Sequence, residues 1–356
     1  MLDILNDLFE KAVARGASDL HLTAEQPPIV RIGGQLRKLE ESSIDTDILF
    51  GIVHSLTSEH QQHEYQRHHS VDIGYTTPGK YRFRINIYQE LGRPVIAARY
   101  LDQKMLSLSE LGLPPVVGTL AGLKSGLVLV TGATGSGKST TLATLVNEIN
   151  SQRTCHILTI EDPVEFVHQS KKSLIHHREL YTDVPSFAEA VRASLREDPD
   201  VIMVGEMRDL DTVRAVLTAA ETGHLVLSTL HTGDAIGSVE RLVGSFPGHE
   251  QGAARHRIAM VLKAVVSQHL LPIKGKTDVR LAAIEVLIVN QAVSNLIETA
   301  KTRQIYSVME TGSSYGMQTL DQSLAAWVGS GKLDMSQARM VCSNPKTLER
   351  LARGVA

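Results

Sequence analysis

The sequence predicts an α/β protein in which a domain with a parallel β-sheet follows a smaller α+β domain. Between residues 127 and 229, short apolar runs alternate with helical stretches, the order that produces a parallel sheet covered by helices. Residues 1–100 instead contain short runs of alternating apolar and polar residues, as in antiparallel strands with one solvated face. A glycine-rich loop after the first apolar run of the second region supports the same division.

The N-terminal domain is predicted to span residues 1–101. Its first fifteen residues carry apolar side chains at helical spacing, and Gly16 is expected to end this helix. Residues 102–115, which are interrupted by proline and glycine, are predicted to be a linker. The strands predicted in this domain are Ile29–Ile32, Tyr81–Tyr88 and Val95–Tyr100.

The second domain is predicted to have a core at residues 116–270 and a mainly helical C-terminal part at 271–356. A strand pair near Leu270–Pro272 and Leu281–Val289 is expected to interrupt the helices. The strands predicted for the parallel sheet are Leu127–Thr131, Ile157–Ile160, Val201–Val204 and Leu225–Thr229.

Composition excludes several classes of protein. The 356 residues carry a net charge of −3, with 36 Lys and Arg against 39 Asp and Glu, so a strongly basic nucleic-acid-binding surface is not expected. The two cysteines, Cys155 and Cys342, are too few for a disulfide framework or a four-cysteine zinc site, and we expect buried thiols. No apolar run approaches the roughly 20 residues that cross a bilayer. These features favour a cytoplasmic protein of enzyme size.

Residues Gly132–Ser139 match the phosphate-binding pattern G-x-x-x-x-G-K-[ST] in full. Glycines let backbone N–H groups surround phosphate oxygens, Lys138 neutralises phosphate charge, and the Ser139 hydroxyl can ligate Mg²⁺. The N-terminus of the following helix adds partial positive charge. Because an apolar strand precedes the loop and a helical run follows it, a chance glycine-rich turn is disfavoured. The residues expected to contact a nucleotide are Gly132, Thr134, Gly135, Ser136, Gly137, Lys138, Ser139 and Thr140.

Two further apolar strands end in carboxylates. Glu206 ends Ile202–Glu206 and is expected beside Mg²⁺ and the γ-phosphate if its strand is adjacent to that of the phosphate loop. Glu161 lies at the end of a strand within Thr159–Glu165, where it could orient or deprotonate an attacking water. The alternative for both is a solvent-facing carboxylate at a strand end.

A third strand carries a histidine at each end, His224 and His231. An extended strand of this length would separate them by about 20–24 Å, so they cannot ligate one metal ion together. The histidine at the carboxyl end, His231, could hydrogen-bond the γ-phosphate and report nucleotide state. The alternative is a loop histidine that caps the strand.

These segments, in this order, resemble the PilT branch of the type II/IV secretion ATPase superfamily, whose members are hexameric motors that retract type IV pili. The resemblance covers nearly the whole chain. Besides the phosphate loop, it includes Gly16–Leu22, Arg31–Leu36 and Ser107–Pro115.

The resemblance implies roles for individual residues. Gly132–Ser139 corresponds to the Walker A loop, Glu161 to the catalytic carboxylate of the Asp box, and Glu206 to the Walker B acid near Mg²⁺. His231 corresponds to the His box. Arg196 lies where family members keep an arginine that can reach a nucleotide across a subunit interface. The alternative for each arginine is a solvated surface charge. Further interface candidates are Arg82, Arg84 and Arg241.

The fold implied by the resemblance is an N-terminal PAS-like domain, a flexible linker and a RecA-like P-loop ATPase domain with a helical C-terminal tail. ATP and Mg²⁺ are the implied cofactors. The implied assembly is a homohexamer that works with an inner-membrane pilus platform protein. Its implied location is cytoplasmic and peripheral, at the pilus base, without a transmembrane segment and without a nucleic-acid partner.

One stretch departs from the pilus-retraction pattern Ala-Ile-Arg-Asn-Leu-Ile-Arg. In Ala292–Glu298 both arginines are replaced, by Ser294 and Glu298, while the apolar spacing of the helix remains. An accessory retraction ATPase, or a motor for a related pilus or secretion system, is therefore a second hypothesis. A RecA-like nucleic-acid translocase is a third, which the acidic balance and the lack of an aromatic and basic groove disfavour. The histidines in residues 54–69 are expected to form a solvated helix face rather than a metal site.

Overall fold

A computed structural model describes residues 1–276 and 279–354, so positions 277–278 and 355–356 of the predicted C-terminal part lie outside the described residues. Contacts divide the chain into two units. The domain boundaries predicted after residues 101, 115 and 270 stay a prediction. The first unit contains Met1–Lys104, Ile160–Val167 and His177–Ser186, and the second contains Met105–Thr159, His168–His176 and Phe187–Ala356.

The first unit is built on an antiparallel sheet. Its first helix buries the apolar face that the sequence predicts, and Phe9 stacks on Phe83 with ring centroids 3.9 Å apart. Gly16 follows the helix with a φ of +70°, a conformation that costs glycine little. The elements are α1 (Leu2–Ala14), β1 (Asp19–Thr23), β2 (Ile29–Ile32), β3 (Gln35–Lys38), α2 (Thr46–Leu56), α3 (Glu59–His68), β4 (Ser70–Thr76), β5 (Arg82–Glu90) and β6 (Arg93–Leu101).

The six strands are ordered β3-β2-β1-β6-β5-β4, and every pair of neighbours is antiparallel. The antiparallel arrangement predicted for residues 1–100 is therefore present. Helix α3 carries His60, His63 and His68 on its exposed surface, in the stretch where a solvated helix face is expected. It has no apolar stripe and begins with a polar capping box formed by Ser58 and Gln61.

The rest of the chain alternates helices and strands and then becomes mainly helical, as the sequence predicts. Its elements are α4 (Pro115–Thr119), β7 (Gly126–Thr131), α5 (Lys138–Gln152), β8 (His156–Glu161), β9 (Leu174–Glu179), α6 (Phe187–Ser194), β10 (Val201–Val204), α7 (Leu210–Glu221), β11 (Leu225–Leu230), α8 (Ala235–Gly244), α9 (Gln251–Val261), β12 (Leu262–Pro272), β13 (Arg280–Ile288), α10 (Gln291–Glu298), α11 (Ile305–Thr311), α12 (Leu320–Gly329), α13 (Met335–Val341) and α14 (Pro345–Gly354).

A seven-stranded sheet, ordered β13-β12-β7-β11-β10-β8-β9, organises these elements. Strand β7 is parallel to both of its neighbours, β11 and β12, and β13 pairs with β12 antiparallel. Strand β12 is longer than the sequence predicts. It begins at Leu262, and its buried polar residues Ser267 and Gln268 interrupt the apolar pattern by which strands are recognised.

Register brings the ends of β7 and β11 to one edge of this sheet, level with the middle of β12. Thr131, the last residue of β7, pairs with Leu230 of β11 and with Ser267 of β12. Because parallel strands end at the same edge, the segments that follow β7 and β11 begin side by side.

Both cysteines are free and half-buried, so the expectation of buried thiols was wrong. Among the described residues, no helix combines the length and apolar character needed to span a membrane.

Candidate functional site: a phosphate loop and two carboxylate strands

The phosphate loop joins strand β7, in which every residue is buried, to helix α5. Gly137 adopts a φ of +88° immediately before Lys138 begins the helix, and only glycine reaches this conformation without strain. A Cβ on Gly132 would overlap the carbonyl oxygen of Gln268. The glycines of the motif are thus required by the close approach of backbone segments.

Two side chains of the loop are prepared for an anion. Lys138 Nζ donates to the carbonyls of Gly132 and Ala133, at 2.9 and 3.0 Å. The buried Ser136 Oγ has no hydrogen-bond partner among the described residues, a condition that usually marks a missing water, ion or ligand. Thr134, Gly135 and Ser139 are exposed, and Thr140 is half-buried.

Glu206, Arg208 and His231 form one cluster beyond β10 and β11. Arg208 Nε contacts Glu206 Oε1, and His231 Nε2 lies 3.4 Å from Glu206 Oε2. The Thr229 hydroxyl donates to the carbonyl of Gly205 at 2.6 Å and holds the turn that carries Glu206. The structure therefore brings together two residues that the sequence selected separately, Glu206 and His231.

The expectation for Glu206 required its strand, β10, to be adjacent to β7, the strand before the phosphate loop. The two strands are not adjacent. Strand β11 lies between β7 and β10 and pairs with both in parallel. Because β11 lies between these two strands, His231, which follows β11, comes between the phosphate loop and Glu206 in the order of the sheet. His224 lies at the opposite end of β11 and contacts the carbonyl of Ala219 at 3.0 Å.

Glu161 is the last residue of β8 and is buried. Its Oε2 accepts the backbone N–H of Glu165 at 3.3 Å. Its Oε1 has no hydrogen-bond partner among the described residues, since His177 Nδ1, at 3.9 Å, is too distant for a hydrogen bond. The alternative of a solvent-facing carboxylate is therefore wrong for Glu161.

Arg82 holds the segment that follows Glu161. Its guanidinium donates to the Val164 carbonyl at 2.9 and 3.1 Å and to Glu179 Oε2 at 2.9 Å. Glu179 in turn accepts the N–H of Val164 at 3.1 Å. With only 11% of its side chain exposed, Arg82 is not a solvated surface charge. Arg84 is more exposed and lies near Asp72 and Glu165, at 3.4 and 3.8 Å.

Arg196 and Arg241 are exposed. Arg196 follows α6, and Arg241 lies in the last turn of α8. No hydrogen bond or ion pair of either guanidinium occurs within residues 1–276 and 279–354. This state is compatible both with a surface charge and with a group that acts on a neighbouring subunit, so their interface role stays a prediction.

Three contributors to these clusters were missed from the sequence. Arg208 stands two residues after Glu206, and its charge beside a strand-end carboxylate was the available signal. Glu179 and Gln268 are far in sequence from the groups they bind, and nothing local identifies them.

The structure also shows the contacts of the two replaced residues on α10 and of the histidine-rich stretch at residues 54–69. Ser294 donates to the carbonyl of Ala259, and Glu298 contacts His256 Nδ1 at 2.9 Å, so both replacements on α10 contact α9. In the histidine-rich stretch, His68 lies 3.5 Å from Glu64. The part of the chain that the structure describes contains no group of three His, Cys, Asp or Glu residues arranged for a metal ion.

The loop residues fit the phosphates of a nucleotide. An anion cradle at a helix N-terminus is formed by the Lys138 ammonium, a backbone that tolerates no Cβ at Gly132, and the Ser136 hydroxyl, which has no hydrogen-bond partner in the described part of the chain. The Ser139 hydroxyl and the Glu206 carboxylate are oxygen donors of the kind that Mg²⁺ prefers.

Comparison with known proteins agrees with this geometry. Residues 1–322 match the family model of type II/IV secretion system proteins. The type IV pilus retraction ATPase PilT of Pseudomonas aeruginosa is 42% identical over 342 residues, which cover 96% of this chain and 99% of that protein. A twitching motility protein of Neisseria gonorrhoeae is 46% identical over 321 residues, covering 90% of this chain and 86% of that protein.

A crystal structure of the pilus retraction motor PilT with bound ADP superimposes with a TM-score of 0.89 at 42% identity and covers 97% of this chain and 98% of that one. The predicted fold class, an α/β ATPase fold with an N-terminal α+β domain and C-terminal helices, is confirmed. The chain therefore belongs to the type II/IV secretion system protein family, as a PilT-like member.

Proposed function

We propose that this chain is the subunit of a hexameric ATPase motor that converts ATP hydrolysis into retraction of type IV pili. The observation that carries the proposal is similarity to PilT along almost the full length of both chains. A match of this extent includes the phosphate loop, both carboxylate strands and the N-terminal unit, rather than a nucleotide-binding core alone.

The residues support a division of labour in hydrolysis. Lys138 and the loop N–H groups bind the phosphates, because catalysis of phosphoryl transfer is mostly positioning and charge neutralisation. Ser139 and Glu206 would hold Mg²⁺, which would supply further neutralisation of phosphate charge. Glu161 is the proposed catalytic carboxylate, and its buried Oε1, which has no hydrogen-bond partner among the described residues, suits a group that accepts a proton from water. His231 is proposed to sense the γ-phosphate.

Arg196, Arg241, Arg82 and Arg84 are the proposed interface arginines of the ring. A guanidinium supplied by a neighbouring subunit stabilises charge in the transition state and couples hydrolysis to subunit geometry. Arg196 and Arg241 are the stronger candidates, because Arg82 is engaged with Val164 and Glu179 of its own chain. The proposed location is cytoplasmic, at the inner-membrane base of the pilus, with a platform protein as partner.

A second candidate function is that of an accessory ATPase, or of a motor for a related pilus or secretion system. The observation that favours it is the loss of both arginines in Ala292–Glu298. On α10 the replacement side chains contact α9 instead of presenting two cations to a partner.

Deletion of the gene in its own organism, with complementation, separates these functions. For a retraction motor, deletion yields more surface pili and no twitching. Complementation with the wild-type chain returns both pilus number and twitching to normal. Complementation with Lys138→Ala should fail, because removing the phosphate-neutralising ammonium prevents productive ATP binding. Normal pilus number and twitching after deletion would reject the retraction role, and loss of pili would indicate assembly. Normal twitching with impaired secretion would favour the second candidate.

A further inference from the structure

Gln268 is a buried polar residue on β12, one of the two neighbours of the phosphate-loop strand. Ser267, the residue before it, pairs in register with Thr131, the last residue of β7. Gln268 therefore lies level with the start of the phosphate loop. Only 2% of the residue is exposed. Burying an amide at this point requires that both its donor and its acceptor be satisfied.

Both ends of the Gln268 amide bind the phosphate loop or the helix after it. Nε2 donates to the carbonyl of Ser136 at 2.6 Å, and Oε1 accepts the Thr141 hydroxyl at 3.0 Å. Ser136 lies inside the loop, and Thr141 lies in the first turn of α5. One side chain thus connects the curve of the loop to the helix that follows it.

The bond to Ser136 fixes the direction of a backbone donor. The carbonyl of Ser136 and the N–H of Gly137 belong to one planar trans peptide, in which they point in opposite directions. Because the carbonyl is held toward Gln268, the Gly137 N–H faces away from β12. In loops of this pattern, such N–H groups contact the phosphates.

The backbone of the phosphate loop approaches Gln268 closely at two glycines. A Cβ on Gly137 would lie 3.1 Å from Gln268 Nε2, and a Cβ on Gly132 would overlap the Gln268 carbonyl oxygen. Without the bond, however, Gly137 itself is free to rotate its peptide, because glycine has access to most backbone conformations.

We propose that Gln268 is a positioning residue of the phosphate site: by holding the Ser136–Gly137 peptide, it directs the Gly137 N–H at a phosphate of the bound nucleotide. The proposal rests on nucleotide binding by the phosphate loop, as proposed above. Gln268 itself does not contact the nucleotide. It orders the loop before the nucleotide binds, and this preorganisation lowers the entropic cost of binding.

The test measures ADP binding to the full chain by calorimetry. Gln268→Met keeps the volume and removes both hydrogen bonds, and we expect its ADP affinity to fall about tenfold, which corresponds to about 1.4 kcal/mol. Gln318→Met is the matched control, because Gln318 Nε2 also donates to a backbone carbonyl, that of Ile284 at 2.8 Å. Its ADP affinity should stay within about twofold of wild type, and both variants should be compared for thermal unfolding without nucleotide.

Gln268→Glu distinguishes a hydrogen-bond role from a packing role. When protonated, its carboxyl can donate to the Ser136 carbonyl, and when ionised it cannot. Affinity of this variant relative to wild type should therefore recover as the pH falls from about 8 to about 6, while that of Gln268→Met should not. Thr141→Val removes the second bond alone and should weaken ADP binding by a smaller factor, about twofold to fivefold.

Two results would overturn the role of Gln268. One is an ADP affinity of Gln268→Met within about twofold of that of Gln318→Met. The other is a loss of ADP affinity in Gln268→Glu that stays the same from about pH 8 to about pH 6, which would mean that donation to the Ser136 carbonyl is not what binding requires. Absence of ADP binding by the wild-type chain would be a different outcome, since it would reject the proposed nucleotide site together with this role.

Discussion

Glu161 ends strand β8 and Glu206 follows strand β10 by two residues, yet the chain satisfies the two carboxylates differently. Glu206 contacts the Arg208 guanidinium and lies 3.4 Å from His231 Nε2. Glu161 is buried, accepts one backbone N–H at 3.3 Å, and keeps a second oxygen without a hydrogen-bond partner in the described part of the chain.

The difference indicates separate tasks for two residues of the same type. A carboxylate in contact with a guanidinium is placed for charge-assisted pairing, which suits a cation ligand or an electrostatic anchor. A buried oxygen without a partner is costly unless a water or a ligand satisfies it, so its position suits a group that receives a proton. The predictions below test this contrast in order of decreasing effect on ATP turnover.

Glu161→Gln should have the largest effect. The amide keeps an acceptor for the Glu165 N–H but cannot take a proton, so kcat for ATP should fall by about 10²- to 10⁴-fold with little change in KM. Steady-state ATPase assays measure both constants. Glu165→Gln is the matched control in the same segment, and its turnover should stay near that of wild type. Full turnover of Glu161→Gln would remove the proposed base.

Glu206→Gln should have a smaller effect of another kind. If Glu206 acts through Mg²⁺, its loss should lower turnover by about 10- to 100-fold and raise the Mg²⁺ concentration needed for half-maximal rate. The Mg²⁺ dependence of Glu161→Gln should remain that of wild type. Measuring rates across a Mg²⁺ titration separates the two variants, and an unchanged Mg²⁺ requirement in Glu206→Gln would contradict its assignment.

The sequence predicted those parts of the site that depend on local order. The loop at Gly132–Ser139 and the strand ends at Glu161 and Glu206 are continuous patterns, so they can be recognised without tertiary information. The order of strands could not be read in this way, because the insertion of β11 between β7 and β10 is a property of long-range pairing. For the same reason His231 was selected without its contact to Glu206.

The supporting residues escaped prediction for a related reason. Gln268 interrupts an apolar run and weakens the strand pattern of β12, although its polarity is what the phosphate loop requires. Glu179 and Arg82 are 97 positions apart and meet only in the fold. In the N-terminal unit, α3 lacks an apolar stripe, so the sequence predicted a solvated helix face there without its bounds.

Gly74→Ala tests whether the Glu161 segment depends on its support. The added Cβ would overlap Arg82 Nη2 and lie 2.7 Å from Glu179 Oε2, so it should displace the pair that holds Val164. We expect a loss of about 1–3 kcal/mol in stability and a fall of up to roughly tenfold in turnover through misplacement of Glu161.

Gly79→Ala is the control for that substitution, because the nearest atom to its Cβ would be Glu10 Oε1, the mobile end of a side chain, at 3.2 Å. Denaturant unfolding and ATPase assays should show a near-wild-type protein. Equal behaviour of the two alanine variants would mean that the Arg82 and Glu179 pair does not support the site.

Glu285→Gln should have the smallest effect on turnover and a clear effect on pH-dependent stability. Glu285 is buried on β13 and accepts the backbone N–H groups of Ala235 and Leu320, at 2.7 and 3.4 Å. Burial, together with the charges of Asp234 and Asp321, raises its pKa to about 7. Within the described residues it is a buried carboxylate without a cationic partner, whereas Glu206 contacts Arg208.

The raised pKa fixes the sign of the effect. Between about pH 4.5 and pH 7 the folded chain holds the Glu285 proton more tightly than the unfolded chain does, so stability must fall as the pH rises, by roughly 3 kcal/mol in all. Glu285→Gln should lack this part of the slope, whereas Glu148→Gln, at a half-buried position of α5, should retain it. Urea unfolding at several pH values measures the slopes. The same slope in the wild type, Glu285→Gln and Glu148→Gln would mean that backbone N–H groups alone keep the buried Glu285 carboxylate ionised. The Arg208 cation beside Glu206 would then not explain the difference between the carboxylates.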